Sequence, residues 1–197
     1  MRKAIIILST LFLLFSCDVV NQLGGAYNFM QCNYDYNSIE NVEIAGINLG
    51  KAKSVSVLQI ASLSTILSGK ALERIPFSMT VNLDVENPTK KGTAILNGMA
   101  YVIELNDVKF TTGSIETPVR IEPGQSEVVP LLIGLDLKNL MDSYSQEQVA
   151  TEMNRFLSIS PGQTKVTVKL CPKVLFGKKI IKTPTYIPVT FYVGKKT

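Results

Sequence analysis

The stretch Phe77–Asn87, FSMTVNLDVEN, decides how the rest of the chain is read. Phe77, Met79, Val81, Leu83 and Val85 alternate with Ser78, Thr80, Asn82, Asp84 and Glu86. A period of two puts one set on each face of an extended strand. The segment therefore predicts a half-buried strand whose polar side lies near water. Pro88 stops it, because proline has no N–H to offer a ladder.

The same alternation recurs on both sides. Met99, Tyr101, Ile103 and Leu105 form a second run, closed by Asn106-Asp107. Val129, Leu131, Ile133, Leu135 and Leu137 follow the turn Pro123-Gly124. Val166, Val168 and Leu170 come next, and Ile187, Val189, Phe191 and Val193 lie near the C-terminus. Upstream, Val42, Ile44 and Gly46 alternate with Glu43, Ala45 and Ile47 and predict a first strand. Short strands punctuated by Gly, Pro and Asn point to a mainly β fold, an antiparallel sandwich and not a βαβ array.

Two segments change period. In Val57–Ser68, Ile60, Leu63 and Leu67 fit a helix, with Gly69 where a C-terminal cap belongs. Leu137, Leu140, Met141 and Tyr144 follow helical spacing until the phase breaks. Ser145 then opens the capping-box pattern Ser-x-x-Gln148, and Val149, Met153, Phe156 and Leu157 restart the stripe. This predicts a short helix and a longer one, an insertion at about 138–158 that caps an open end of the sheets. A membrane-lying helix fits less well, since the polar side carries Glu147, Glu152 and Asn154 with only Arg155 basic.

The N-terminus, MRKAIIILSTLFLLFSC, has a different logic. Arg2 and Lys3 precede an apolar run from Ala4 to Phe15, too short for the roughly 20 residues that span a bilayer. Leu14-Phe15-Ser16-Cys17 then reads as a bacterial lipobox, in which Cys17 takes diacylglycerol on its thiol and becomes the first mature residue. An ordinary secretory peptide shares the basic and apolar parts but requires no cysteine. Residues 1–16 are thus expected to be a lipoprotein signal peptide. Residues 17–26 are expected to be a tether with a flexible joint at Gly24-Gly25. Residues 27–197 would be one β-sandwich domain, with the aromatic segment Tyr27–Tyr36 laid as a strap across its core.

Composition narrows function by exclusion. Lys and Arg total 20 against 16 acids, a net charge of +4. Without Arg2 and Lys3 the balance is 18 against 16, or +2, too mild for a nucleic-acid partner. The chain has no His, which removes Ser-His and Cys-His nucleophiles, His-ligated zinc and the usual general base near neutral pH. No metal or cofactor is expected. With Cys17 acylated, Cys32 and Cys171 remain. They could bridge in an oxidising compartment or stand as two small buried hydrophobes.

From Phe77 to Leu137 the ordered features are a strand ending in Asn87-Pro88, a strand containing Tyr101 and closing at Asn106, and Gly113 after the pair Val108 and Phe110. The turn Pro123-Gly124-Gln125-Ser126 and the apolar strand Val128–Leu137 complete the set. This order resembles the group-2 late-embryogenesis-abundant family, also called the water-stress and hypersensitive-response (WHy) domain, over about 60 residues. Tyr27–Leu49 is similar to the N-terminal portion of bacterial lipoproteins that carry it. The resemblance implies an immunoglobulin- or fibronectin-III-like β-sandwich without catalytic residues. The chain departs from the pattern at Thr89, where a second Asn is usual, and through the Lys138–Ser158 insertion.

The residues that carry the resemblance also have physical readings of their own. Asn87 can bond backbone groups at a strand end, Gly113 suits a bend or positive φ, and Tyr101 offers an apolar body with a polar tip. Asp84 and Glu86 share one face, but no third oxygen cluster supports a cation site. Eight lysines, Lys165, Lys169, Lys173, Lys178, Lys179, Lys182, Lys195 and Lys196, make the C-terminal region basic. They read as protection of sheet edges before they read as a face for anionic polysaccharide or lipid.

Three functions follow from these readings. The leading one is a non-enzymatic lipoprotein of the bacterial cell envelope, with the outer membrane preferred over the inner, working by contact with an envelope protein partner or by protection. The second is a carrier of a small hydrophobic ligand, in the sandwich core or under the helical insertion, in a cavity lined by residues such as Phe77, Met99 and Met153. The third, a hydrolase built on carboxylates alone, needs Asp84 and Glu86 to meet another acid in a cleft.

Overall fold

The computed structural model describes residues 24–50, 56–68, 72–176, 179–182 and 185–195. Residues 1–16, read above as a signal peptide, Cys17, Gly69, Lys178 and Lys196 lie outside the described residues. The chain is mainly antiparallel β with short helices. A helix over residues 24–30 (α1) leads into β1 (Asn33–Ile44) and β2 (Ile47–Gly50), and α2 (Val57–Leu67) follows. Next come β3 (Pro76–Glu86), β4 (Ala94–Leu96), β5 (Met99–Leu105), β6 (Val108–Ile115), β7 (Val119–Ile121) and β8 (Ser126–Asp136). The helices α3 (Leu137–Ser143) and α4 (Gln146–Phe156) precede β9 (Gly162–Phe176), β10 (Lys179–Lys182) and β11 (Ile187–Lys195).

One sheet runs β2-β1-β3-β8, a second runs β10-β9-β5-β6 with β11 also on β9, and β4 pairs with β7. Strand β3 sits where its alternation predicts, between β1 and β8, with Phe77, Met79, Val81, Leu83 and Val85 all buried. Its other face is less wet than expected, because Thr80 is buried there, in reach of Asn41 from the irregular part of β1. On the second sheet Met99, Tyr101, Ile103 and Leu105 are buried and belong to the same core cluster as the β3 residues. Aromatic pairs join the sheets through that core. Phe77 meets Phe110 of β6 edge-on at 5.6 Å, and Tyr36 of β1 stacks on Phe191 of β11 at 4.1 Å. Burying these rings removes the most apolar area per residue, which makes them the main anchors between layers.

The N-terminal expectations are corrected. Residues 24–26, read as tether, open α1 instead of a flexible joint. Gly25 is buried, and a side chain there would put its Cβ 2.8 Å from the Cβ of Ile95. The aromatic segment packs onto the core, with Phe29 and Cys32 buried, and does so in regular elements. Its first part is α1, and its last part is the start of β1, with Tyr34 edge-on to Phe29 at 5.8 Å and bonded to the Phe29 carbonyl. The first strand therefore begins at Asn33 and ends at Ile44, where Ala45 and Gly46, both at positive φ, turn the chain into β2.

The helices arise where the spacing places them. Ser56 caps α2 in a capping box with Gln59, Leu63 and Leu67 are buried, and Ser68 is the C-cap. Ser145 and Gln148 close the predicted box at the start of α4. Between β8 and α3, the Asp136 carboxylate accepts from Ile75 N at 2.8 Å, Lys138 N at 3.0 Å and Arg74 Nε at 3.1 Å. Those bonds, the backbone one to Ile75 foremost, hold its carboxyl below the usual carboxylate range.

Candidate functional site

The residues that carry the family resemblance fall into three interlocks, none of which is a cleft. Asn87 is fully buried. Its Nδ2 donates to the carbonyls of Gly92 (3.1 Å) and Ile121 (3.0 Å), and its Oδ1 accepts from Thr89 N and Oγ1. Its backbone binds Gln125 O and Gly124 N, so the Pro123-Gly124 turn, with Gly124 at φ +70, is tied to the end of β3 just before Pro88. Thr89, at the position where the family pattern carries Asn, fills that place with two hydrogen bonds to Asn87.

Tyr101 and Gly113 form the second interlock. They are directly opposed in the β5–β6 ladder. A Cβ on Gly113 would lie 2.2 Å from the Tyr101 Oη and 2.3 Å from its Cζ. The missing side chain lets the Tyr101 ring cross β6, and its hydroxyl donates to Leu132 O of β8, on the other sheet, at 2.5 Å. Burial raises the Tyr101 phenol above its ordinary range.

Asn106 makes the third. Asn106 and Asp107 both adopt positive φ, 48° and 65°, in the two-residue turn from β5 to β6. Asn106 N donates to Lys165 O at 2.8 Å, and its Oδ1 accepts from Lys165 N at 3.0 Å. Its Nδ2 donates to Glu152 of α4. That carboxylate also accepts from Arg155 at 2.9 Å and Thr164 at 3.4 Å, which seats α4 on the end of the second sheet.

Beside this seat lies a pocket of about 330 Å³ between the β5–β6 turn and α3–α4. Its body is apolar, formed by Leu105, Val108, Phe110, Leu140, Val149 and Met153. Asn106, Tyr144, Glu147, Gln148, Thr151 and Glu152 form its polar part. The size is at the lower end of small-ligand sites, roughly 300–1,000 Å³. Of the three residues expected to line a cavity, Met153 does so. Phe77 and Met99 are instead packed in the core. A larger cleft of about 520 Å³ runs along β8, but its rim mixes Glu116, Arg120 and Glu127 and its apolar residues Val128 and Leu132 face outward.

The other candidates are dispersed. Cys32 and Cys171 are both buried and do not form the bridge considered from the sequence. Cys32 ends the α1 turn with its Sγ 3.5 Å from Asn28 O, whereas Cys171 lies on β9 opposite Ala100. Burial, with Glu86 second, pushes the Cys32 thiol up to about 11, which makes it a poor nucleophile. Asp84 accepts from Asn37, and Glu86 from Asn33, so both serve the β1–β3 pairing. Among the described residues no group of three or more His, Cys, Asp or Glu could hold a metal ion. Lys165, Lys169 and Lys173 pair with Asp107, Glu104 and Glu116 at 2.8, 2.6 and 2.5 Å. These three lysines of the basic region are therefore neutralised sideways by carboxylates of the β5–β6 pair and the residues that follow it.

No family model matches the chain. No curated protein matches it either. Among solved structures, a crystal structure of a protein from Archaeoglobus fulgidus is 16% identical, covers 81% of this chain and 99% of its own, and superposes with a TM-score of 0.39. A solution structure of a candidate late-embryogenesis-abundant protein is 8% identical, covers 100% of this chain and 87% of its own, with a TM-score of 0.41. At that degree of superposition neither lends this chain a residue or a role.

Proposed function

We propose that this chain is a non-enzymatic module of the bacterial cell envelope, anchored to the outer membrane by lipid on Cys17 and working through contact with an envelope partner or by stress protection. The observation that carries the reading is the N-terminal sequence itself: a basic pair, a short apolar run and Leu14-Phe15-Ser16-Cys17. An immunoglobulin-like sandwich belongs to the same proposal. Its support is that the two larger sheets share one core through Phe77–Phe110 and Tyr36–Phe191. In the full chain expressed in a bacterium, wild type should incorporate labelled palmitate and sediment with membranes. Cys17→Ala should lose the label and at least about tenfold of its membrane fraction, since acyl anchors supply most of the affinity. A wild-type protein that takes no label and stays in the supernatant would overturn the anchor.

A second reading, carriage of a small hydrophobic ligand, is favoured by one observation, the apolar pocket beneath α3 and α4. With methionine methyls labelled by ¹³C, titration with cyclohexanol is expected to shift the Met153 resonance. That of Met79, which is buried in the core away from the pocket lining, should stay in place. A Met153 signal that does not move would remove the reading.

A further inference from the structure

We infer that the pocket beneath α3 and α4 selects a small apolar molecule bearing a cationic head, with Glu147 as its counter-charge. This rests on the reading of the pocket as a ligand site and adds the chemistry of the ligand. The buried residues Phe110, Val149 and Met153 provide an apolar floor, so hydrocarbon is the part that goes in first. The head is decided by charge. The lining holds two carboxylates, Glu147 and Glu152, and no lysine or arginine. An anionic amphiphile would bring a third negative charge to that mouth.

The two carboxylates are not equivalent. Glu152 is committed to Asn106, Arg155 and Thr164, so its lone pairs are already engaged in holding α4. Glu147 is exposed on the first turn of α4 and has no hydrogen-bond or ion-pair partner among the described residues. The start of α4 could otherwise draw an anion. There, however, the capping box already occupies Gln148 N with Ser145 Oγ, and Ser145 N with Gln148 Oε1. Tyr144 adds an aromatic ring to the same lining, and aromatic faces attract ammonium groups. Of the side chains at the mouth, the unpaired Glu147 carboxylate and the Tyr144 ring both favour a cation.

The test uses the full chain in detergent with ¹³C-methyl methionine and three probes of matched body: cyclohexylamine, cyclohexanol and cyclohexanecarboxylate. All are read at Met153. The amine is expected to bind about tenfold more tightly than the alcohol, and the carboxylate more weakly than either. Glu147→Gln should bring the amine down to the alcohol and leave the alcohol unchanged. If the three probes bind within about twofold of one another, or if Glu147→Gln weakens all alike, the head selectivity is wrong while the pocket stands. If no probe moves Met153, the pocket reading falls and takes this inference with it.

Discussion

Replacing Gly113 with alanine is expected to destabilise the protein by about 3 kcal/mol, the upper part of the overpacking range. The new Cβ would sit 2.2 Å from the Tyr101 hydroxyl and 2.3 Å from the ring carbon that bears it. Tyr101 cannot step aside cheaply. Its ring is buried between β6 and β8, and its hydroxyl is held on Leu132 O at 2.5 Å. Either the ring leaves that carbonyl, orphaning a bond between the sheets, or β6 moves out of register with β5. The cause is checked by a double-mutant cycle in urea with Tyr101→Leu, which removes the clashing atoms. In that background Gly113→Ala should cost less than about 1 kcal/mol, because interacting sites are not additive. An additive cycle would mean that Gly113 matters for its backbone and not for the space it leaves.

Asn87→Ala should cost a similar amount, about 3 kcal/mol, by a different route. The substitution strips two donated bonds and two accepted ones from a fully buried site; the Ile121 carbonyl loses the Asn87 amide, and the Gly92 carbonyl keeps only Thr89 Oγ1. Asn87→Asp is the sharper variant. It preserves shape but turns an oxygen toward those two carbonyls in place of the amide nitrogen, so it should be at least as damaging as alanine at neutral pH. Hydrogen exchange should show faster opening at the amides of Gly124 and of residue 87 in both, since Gly124 N donates to the residue-87 carbonyl and the residue-87 N–H to Gln125 O. Two variants that unfold within about 0.5 kcal/mol of wild type would mean that the loop is held by other contacts.

The strands legible in the sequence are those that bury one face only. β3, β5 and β8 alternate cleanly because one side meets the core and the other is wetter or lies toward a neighbouring strand. The break between α3 and α4 was equally legible, since a capping box is a local device that needs only four residues. The start of β1 was not. Tyr34 and Tyr36 alternate with Asn33, Asp35 and Asn37, but two aromatic residues are too short a run to announce a strand. The segment is extended because it pairs with β3, with Asn33 bonded to Glu86 and Asn37 to Asp84. α1 was hidden for a similar reason. Two glycines argue against a helix, yet Gly25 is needed so that the helix can close on Ile95.

The pocket shows the limit from the functional side. Its lining runs from Leu105 to Met153, drawn from a strand pair and two helices, and no local spacing announces it. Helical periodicity placed α4 against something apolar, and Met153 within reach of a cavity. Which residues face it follows from Asn106 docking on Glu152, a contact of residues 46 apart in the chain.

By itself, then, the amino-acid sequence determined the period of each strong strand, the caps and the break of the insertion, and it carries the N-terminal pattern ending in Cys17 on which the proposed anchor rests. These depend on neighbours within a few residues, and short-range sterics and hydrogen bonding carry them. Only the tertiary structure decided that Gly113 exists to let Tyr101 through, that Cys32 and Cys171 stay apart, and that Glu147 rather than Glu152 faces the pocket with its charge unused. Each of those depends on which distant groups have already satisfied one another, and that is set by packing between elements.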